Sequence, residues 1–178
     1  NIENVGTIIS GNIIELIDAL VFEIDNNIPN EHAIDINVEI TSDEGDWNEQ
    51  IEFIGYNAIL DMLEVEVIDG DNNILDAGDT AEITVEIYNL GGADLYNLLP
   101  SISSSNANVT ISNLAVLVDS LNSNTSENYV VCSVEVSDDA IAGDIIDFSF
   151  EITADNEFTF SEDFVLVVGL MIEDFESG

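Results

Sequence analysis

Carboxylates are the one kind of charge this chain carries in quantity. The stretch "DGDNNILDAGDT", residues 69–80, holds Asp69, Asp71, Asp76 and Asp79, with Asn73 between them. Oxygens at Asp69, Asp71 and Asn73 have the spacing that opens an EF-hand loop, where hard oxygen ligands wrap a Ca2+ ion. The pattern then breaks. The sixth position needs Gly and holds Ile74; the twelfth needs Glu and holds Thr80. The stretch is therefore not an EF-hand. Ca2+ takes six to eight oxygens, so Asp76, Asp79 or a neighbouring loop would have to complete the shell. "SDDAIAGD", residues 137–144, offers Asp138, Asp139 and Asp144. A parallel cluster, Asp25, Asn26 and Asn27, sits in "DNNIPNEH", residues 25–32. Two readings stay open for these loops: Ca2+ sites, or solvated acidic turns.

The whole-chain charge favours the first. The 178 residues include no Lys, no Arg, one His and 38 acidic residues, for a formal charge of −38. Self-repulsion on that scale opposes the compact state, and no side-chain cation other than His32 can offset it. Ca2+ is thus the expected cofactor. Nucleic acid is excluded as a partner, because binding it requires Lys or Arg to neutralise phosphates. An anionic membrane surface is excluded on the same grounds. No run of about 18 apolar residues occurs, so membrane insertion is not expected either.

Other chemistry is sparse. His32 is the only His, on a predicted loop, and reads as a surface or structural residue. Cys132 lies in "YVVCSVEV" and reads as a small buried hydrophobe. No nucleophile–His pair stands out, and no enzyme activity is expected. Asp79-Thr80-Ala81 and Asp119-Ser120-Leu121 fit an Asp–Ser/Thr–apolar O-glycosylation pattern, which makes Thr80 and Ser120 candidate glycan sites. The sequons at Asn108 and Asn124 read as incidental. Residue 1 is not Met and no signal segment is evident, so a processed chain is expected.

The elements that must position these residues read as strands. With 46% hydrophobic residues the chain can bury a core rather than stay disordered. "MLEVEVID" (62–69), "AEITVEIYNL" (81–90), "ENYVVCSVEVS" (127–137), "DIIDFSFEIT" (144–153) and "EFTFSEDFVLVVG" (157–169) alternate apolar and polar residues or are rich in β-branched and aromatic types. Turn signals separate them, and no amphipathic helical run appears. The fold class is all-β, an antiparallel immunoglobulin-like sandwich. In an up-and-down reading, residues 69–80 and 137–144 fall at the same end.

The chain also repeats itself. "AIDINVEITSDEGDW" (33–47) matches "IIDFSFEITADNEF" (145–158). Asp35, Glu39, Ile40 and Thr41 align with Asp147, Glu151, Ile152 and Thr153, each pair 112 residues apart. "VFEIDNNIPNEH" (21–32) matches "SVEVSDDAIAGD" (133–144) at the same spacing. That period is one sandwich domain. The expected division is a C-terminal half module over 1–60, a complete module over 61–170, and an extension or linker over 171–178. "SDEGD" (42–46) reads as a hairpin turn. Half a sandwich leaves apolar faces and unpaired edges, so strands from elsewhere should complete it. A second copy is the expected source, by strand addition, giving a homo-oligomer or polymer. The apolar "FVLVVGLMI" (164–172) reads as a final strand or as an overhanging donor.

These motifs resemble those of tandem immunoglobulin-like (CARDB-like) modules in secreted Bacteroidota cell-surface proteins, as found near gingipain-type peptidases. The resemblance rests on "NNILDAGDT" (72–80), "YNLGGADLYN" (88–97), "DNNIPNEH" (25–32), "DDAIAGD" (138–144) and "IEDFESG" (172–178). Ala77 and Asp79 stand where the family has Pro and Glu, and the family normally carries Lys and Arg. The resemblance implies an extracellular or cell-surface structural module. The expected function is a fibre or tandem-array subunit stiffened by Ca2+. The alternative is an adhesin or carbohydrate-binding accessory module, for which Trp47, Tyr56 and Tyr96 would supply aromatic contacts.

Overall fold

The computed structural model describes residues 3–114 and 116–169. The expected extension over 171–178 and the end of "FVLVVGLMI" lie outside these residues. The described chain is all-β, with ten strands and antiparallel pairing throughout. β1 (His32–Ser42) and β2 (Gly45–Gly55) form a two-stranded hairpin. The other eight are β3 (Leu60–Ile68), β4 (Thr80–Asn89), β5 (Leu95–Ser103), β6 (Val109–Asn113), β7 (Val118–Leu121), β8 (Ser126–Val136), β9 (Ile145–Thr153) and β10 (Thr159–Val167). They form two four-stranded sheets, ordered β3-β4-β8-β6 and β10-β9-β5-β7.

Alternation decides which face of each sheet turns inward, because successive side chains on a strand point to opposite sides. β4 sends Ala81, Ile83, Val85 and Ile87 into the core, and β8 sends Val134 and Val136. The facing sheet contributes Leu98 and Ile102 from β5 and Ile146, Phe148, Phe150 and Ile152 from β9. Phe148 stacks on Phe164 of β10, and Phe150 meets Phe160 edge-on. Each fully buried side chain of this size stabilises the fold by about 1.5–3 kcal/mol. Cys132 is buried in the same cluster, as its alternating context predicts.

Asn89 is the fully buried polar side chain, and its hydrogen bonds fix the connection after β4. Its Oδ1 accepts from Gly91 N at 3.0 Å and Ile59 N at 3.3 Å. Its Nδ2 donates to Ala93 O at 2.9 Å and Leu121 O at 3.5 Å. A buried amide with all of its groups paired rigidifies rather than destabilises. Gly91 is required by close approach, since a Cβ there would lie 2.5 Å from Ile59 N and 2.7 Å from Ala58 Cα.

Residues 1–60 contain no sheet beyond the β1–β2 hairpin among the described residues. The hairpin turns at Asp43–Glu44, within "SDEGD", as expected. Residues 3–31 form no strand and are mostly exposed.

Candidate functional site

The acidic loops come first. The loop between β3 and β4 lies beside the end of β8, held by a backbone bond from Val136 N to Asp79 O at 2.8 Å, and it also meets the segment after β10, where Gly169 N donates to Leu75 O at 2.9 Å. Asp138 Oδ1 sits directly over Gly78, where a Cβ would meet it at 2.6 Å. Gly78 also has a φ of 85°, in the region that favours glycine.

Within this end, the carboxylates of Asp69, Asp79 and Asp144 accept from backbone N–H groups. Asp69 Oδ1 accepts from Asp71 N at 2.7 Å and Asn73 N at 3.0 Å. Those bonds hold the Asp69 carboxyl below its usual range, because they favour the charged form. Asn73 takes a left-handed φ of 61° to make the turn. Asp76 Oδ2 accepts from Asn72 Nδ2, and Asp79 Oδ2 accepts from Asp76 N. Asp144 Oδ2 accepts from Ile141 N and Asn108 Nδ2. Asp139 donates its N–H to Ser137 Oγ, and its side chain is exposed. On the N-terminal segment, Asp25 Oδ1 accepts from Asn27 N and Asn27 Nδ2. Among the described residues no group of three His, Cys, Asp or Glu stands close enough to hold a metal ion. The loops act as Asx-type caps.

Thr80 opens β4 with an exposed side chain, while Ser120 is half-buried in β7. Trp47 lies on β2 and Tyr96 on β5, in different sheets. Tyr56 covers the junction, because its ring occupies the space above Gly92.

The hairpin is the second candidate. Its cross-strand pairs are Ile34–Phe53, Ile36–Ile51, Val38–Glu49 and Ile40–Trp47. The β9–β10 pairs are Ile146–Leu166, Phe148–Phe164, Phe150–Glu162 and Ile152–Phe160. Four apolar residues on the first strand recur, as does the order apolar, Glu, apolar, apolar along the second. The turns differ by one residue, which the hairpin loop absorbs. The covering differs more. Ile146, Phe150 and Ile152 are fully buried by the opposite sheet, whereas Ile40 is 53% and Trp47 51% exposed. Ile51 and Phe53 are exposed too. Phe22 of the preceding segment reaches over this face, its ring 5.8 Å from that of Phe53, and Ile28 Cδ1 lies over Gly55, where a Cβ would meet it at 2.7 Å. Beside it a groove of about 560 Å³ opens between Phe22, Ile24, Ile28, Ile34 and Ile36, with His32 on its wall.

Polar contacts anchor the hairpin to the sandwich. Asn30 Oδ1 accepts from Asn57 N at 3.2 Å and Gly92 N at 3.0 Å. Asn57 Nδ2 donates to Ile28 O and Asn26 O, and Asn26 Nδ2 donates to Asn156 O at 2.7 Å. Sequence reading missed Asn30, Asn57 and Asn89. Asn89 and Gly91 were legible only as a strand end followed by a turn.

No family profile and no curated protein matches the chain. Among solved structures, the chain is similar to a FixG-related protein from Vibrio parahaemolyticus, at 16% identity and a TM-score of 0.41. That match covers 62% of this chain and 97% of the other. It is also similar to a family 123 glycoside hydrolase from Clostridium perfringens, at 18% identity and a TM-score of 0.31. There the match covers 64% of this chain and 27% of the enzyme.

Proposed function

We propose that this chain is a non-catalytic structural module of an extracellular array. It joins one complete sandwich to the second half of a like module, and strands from outside the chain complete that half. Modules that interlock this way join end to end. The observation that carries the reading is the pairwise match of β1–β2 to β9–β10, with Ile40, Trp47, Ile51 and Phe53 of the β1–β2 face exposed. Exposed apolar faces of this extent mark interaction surfaces. The uniform negative charge supports an extracellular setting, because it keeps linear assemblies from collapsing onto one another. Electron microscopy of material from the native source tests this. Linear arrays with a regular axial repeat are expected; isolated particles of one size would refute it.

A further inference from the structure

A cleft of about 910 Å³ opens where the segment ahead of the hairpin meets the sandwich. Its volume falls within the ~300–1,000 Å³ of small-molecule sites. One wall is residues 23–28, the other is the turn between β9 and β10, and the floor is Asn57 and Ala58 with Ala93–Leu95. The walls are tied together by Asn26 Nδ2, which donates to Asn156 O at 2.7 Å. The floor is tied to the first wall by Asn57 Nδ2, which donates to Asn26 O at 3.2 Å and Ile28 O at 3.0 Å. Those bonds set the spacing of the cleft.

Of Trp47, Tyr56 and Tyr96, Tyr56 lines this cleft. Its ring is seated on Gly92, where a Cβ would lie 2.2 Å from Cδ1, yet the residue is 50% exposed. One side of the ring is therefore packed and the rest is open. The polar groups around it are also held in place. Asp94 is fixed through both oxygens, accepting from Ser123 N at 2.7 Å and Tyr96 Oη at 3.3 Å. Asp155 Oδ2 accepts from Asn97 Nδ2 at 2.6 Å, which leaves Oδ1 as an open acceptor. Asp25 Oδ1 is taken by Asn27, which leaves Asp25 Oδ2 open. Asn156 turns the chain with a left-handed φ of 57° and engages Asn26 through its backbone O. Its side-chain amide is free to donate and to accept, and exposed Thr159 adds a hydroxyl beside it.

The open groups mix donors with acceptors, and that mixture selects the ligand. An anion is repelled by a chain of charge −38. An organic cation only donates, so the donors of Asn156 and Thr159 would go unanswered. A sugar hydroxyl both donates and accepts, and the C–H face of a pyranose ring packs on an aromatic side chain. We infer that this cleft binds a neutral oligosaccharide. Tyr56 stacks on one sugar ring, while Asp25, Asp155 and Asn156 bond to its hydroxyls.

The test follows backbone amide shifts of the full isotope-labelled chain during titration with cellotriose, maltotriose and mannotriose to millimolar concentration. At least one of these should move the amides of Asn57, Asp94 and Asn156 saturably and leave those of β4 in place. Asn156→Gly removes the amide side chain yet suits the left-handed φ, so the turn is kept. It should weaken binding about two- to tenfold, the worth of one hydrogen bond. Tyr56→Ala should weaken it about tenfold, through the lost ring contact. Trp47→Ala, outside the cleft, should leave affinity unchanged. If no saccharide moves the cleft amides, the inference is overturned. Spermidine moving those amides where the saccharides do not would assign the cleft to cations and overturn it too. So would equal weakening by Asn156→Gly and Trp47→Ala. The inference does not rest on the assembly reading: linear arrays of a protein that binds no saccharide would refute it and leave the proposed function standing.

Discussion

Ile40 and Ile152 are the same residue type at the same place in two hairpins, yet one is 53% exposed and the other 0%. Truncating each to Ala therefore isolates the covering sheet from local strand chemistry. Ile152 packs among Phe150, Phe160 and the β4–β8 face. Ile152→Ala removes its apolar burial and leaves a cavity, which together cost about 2–5 kcal/mol. Taking about 3 kcal/mol for a module of this size, the sandwich midpoint should fall by roughly 10 °C. Ile40→Ala removes atoms that already face solvent over half their surface. It should leave the sandwich transition within about 0.5 kcal/mol of the parent. Urea unfolding followed by far-UV dichroism, with slopes compared so that only the midpoint is interpreted, measures both. Equal losses for the two variants would refute the reasoning, because they would mean that the hairpin face is packed as tightly as the sandwich core.

Three further outcomes follow from the same geometry. Asn89→Leu deprives Ile59 N and Gly91 N of a buried acceptor, at about 1–3 kcal/mol for each unsatisfied group. The expected loss is about 3 kcal/mol in the denaturant midpoint, and a loss below about 1 kcal/mol would show that water reaches the site. Burial pushes the Cys132 thiol up to about 11, and burial with the nearby Glu127 pushes Tyr129 up to about 12. The unfolded chain releases these protons first, so stability is complete below about pH 9 and falls as pH rises from 9 to 12. The slope is at most about 1.4 kcal/mol per pH unit for each group, less for half-exposed Tyr129, and Cys132→Ala should flatten the segment from 9 to 11. Salt should raise the melting temperature, because a charge of −38 repels itself. Ca2+ and Mg2+ at equal concentration should act alike; a rise specific to Ca2+ would show that the acidic loops close into a ligand shell.

Much of this architecture is legible in the sequence because its strands alternate strictly. "AEITVEIYNL" places Ala81, Ile83, Val85 and Ile87 on one face, and the fold uses that face. β5, β6 and β7 were not legible. In "LYNLLPSIS" the alternation is broken by Asn97, which takes a left-handed φ of 54°, and by Pro100, which lacks a donor. Pro100 is tolerated because pairing with β7 ends at Leu98, so no donor is required of it on that side. β6 and β7 are only 5 and 4 residues long in a Ser- and Asn-rich stretch. The number of oxygens in the acidic loops is plain in the sequence, but the turn of Asp69 and Asp144 to backbone N–H groups depends on local backbone geometry that a count of oxygens does not carry. Periodicity marks Ile34 through Phe53 as a hairpin with an apolar face. Whether a second sheet covers that face depends on strands far away in sequence, and periodicity carries no record of them.

The central claim is that residues 3–55 are an uncompleted half module while residues 60–167 form a closed sandwich. Native-state amide exchange measures this strand by strand, because protection follows local opening free energy. β4, β5, β8 and β9 should exchange only through global unfolding. β1 and β2 should exchange many-fold faster despite their full antiparallel ladder, and residues 14–24 faster still. Protection of β1 and β2 equal to that of β9 and β10 would contradict the account.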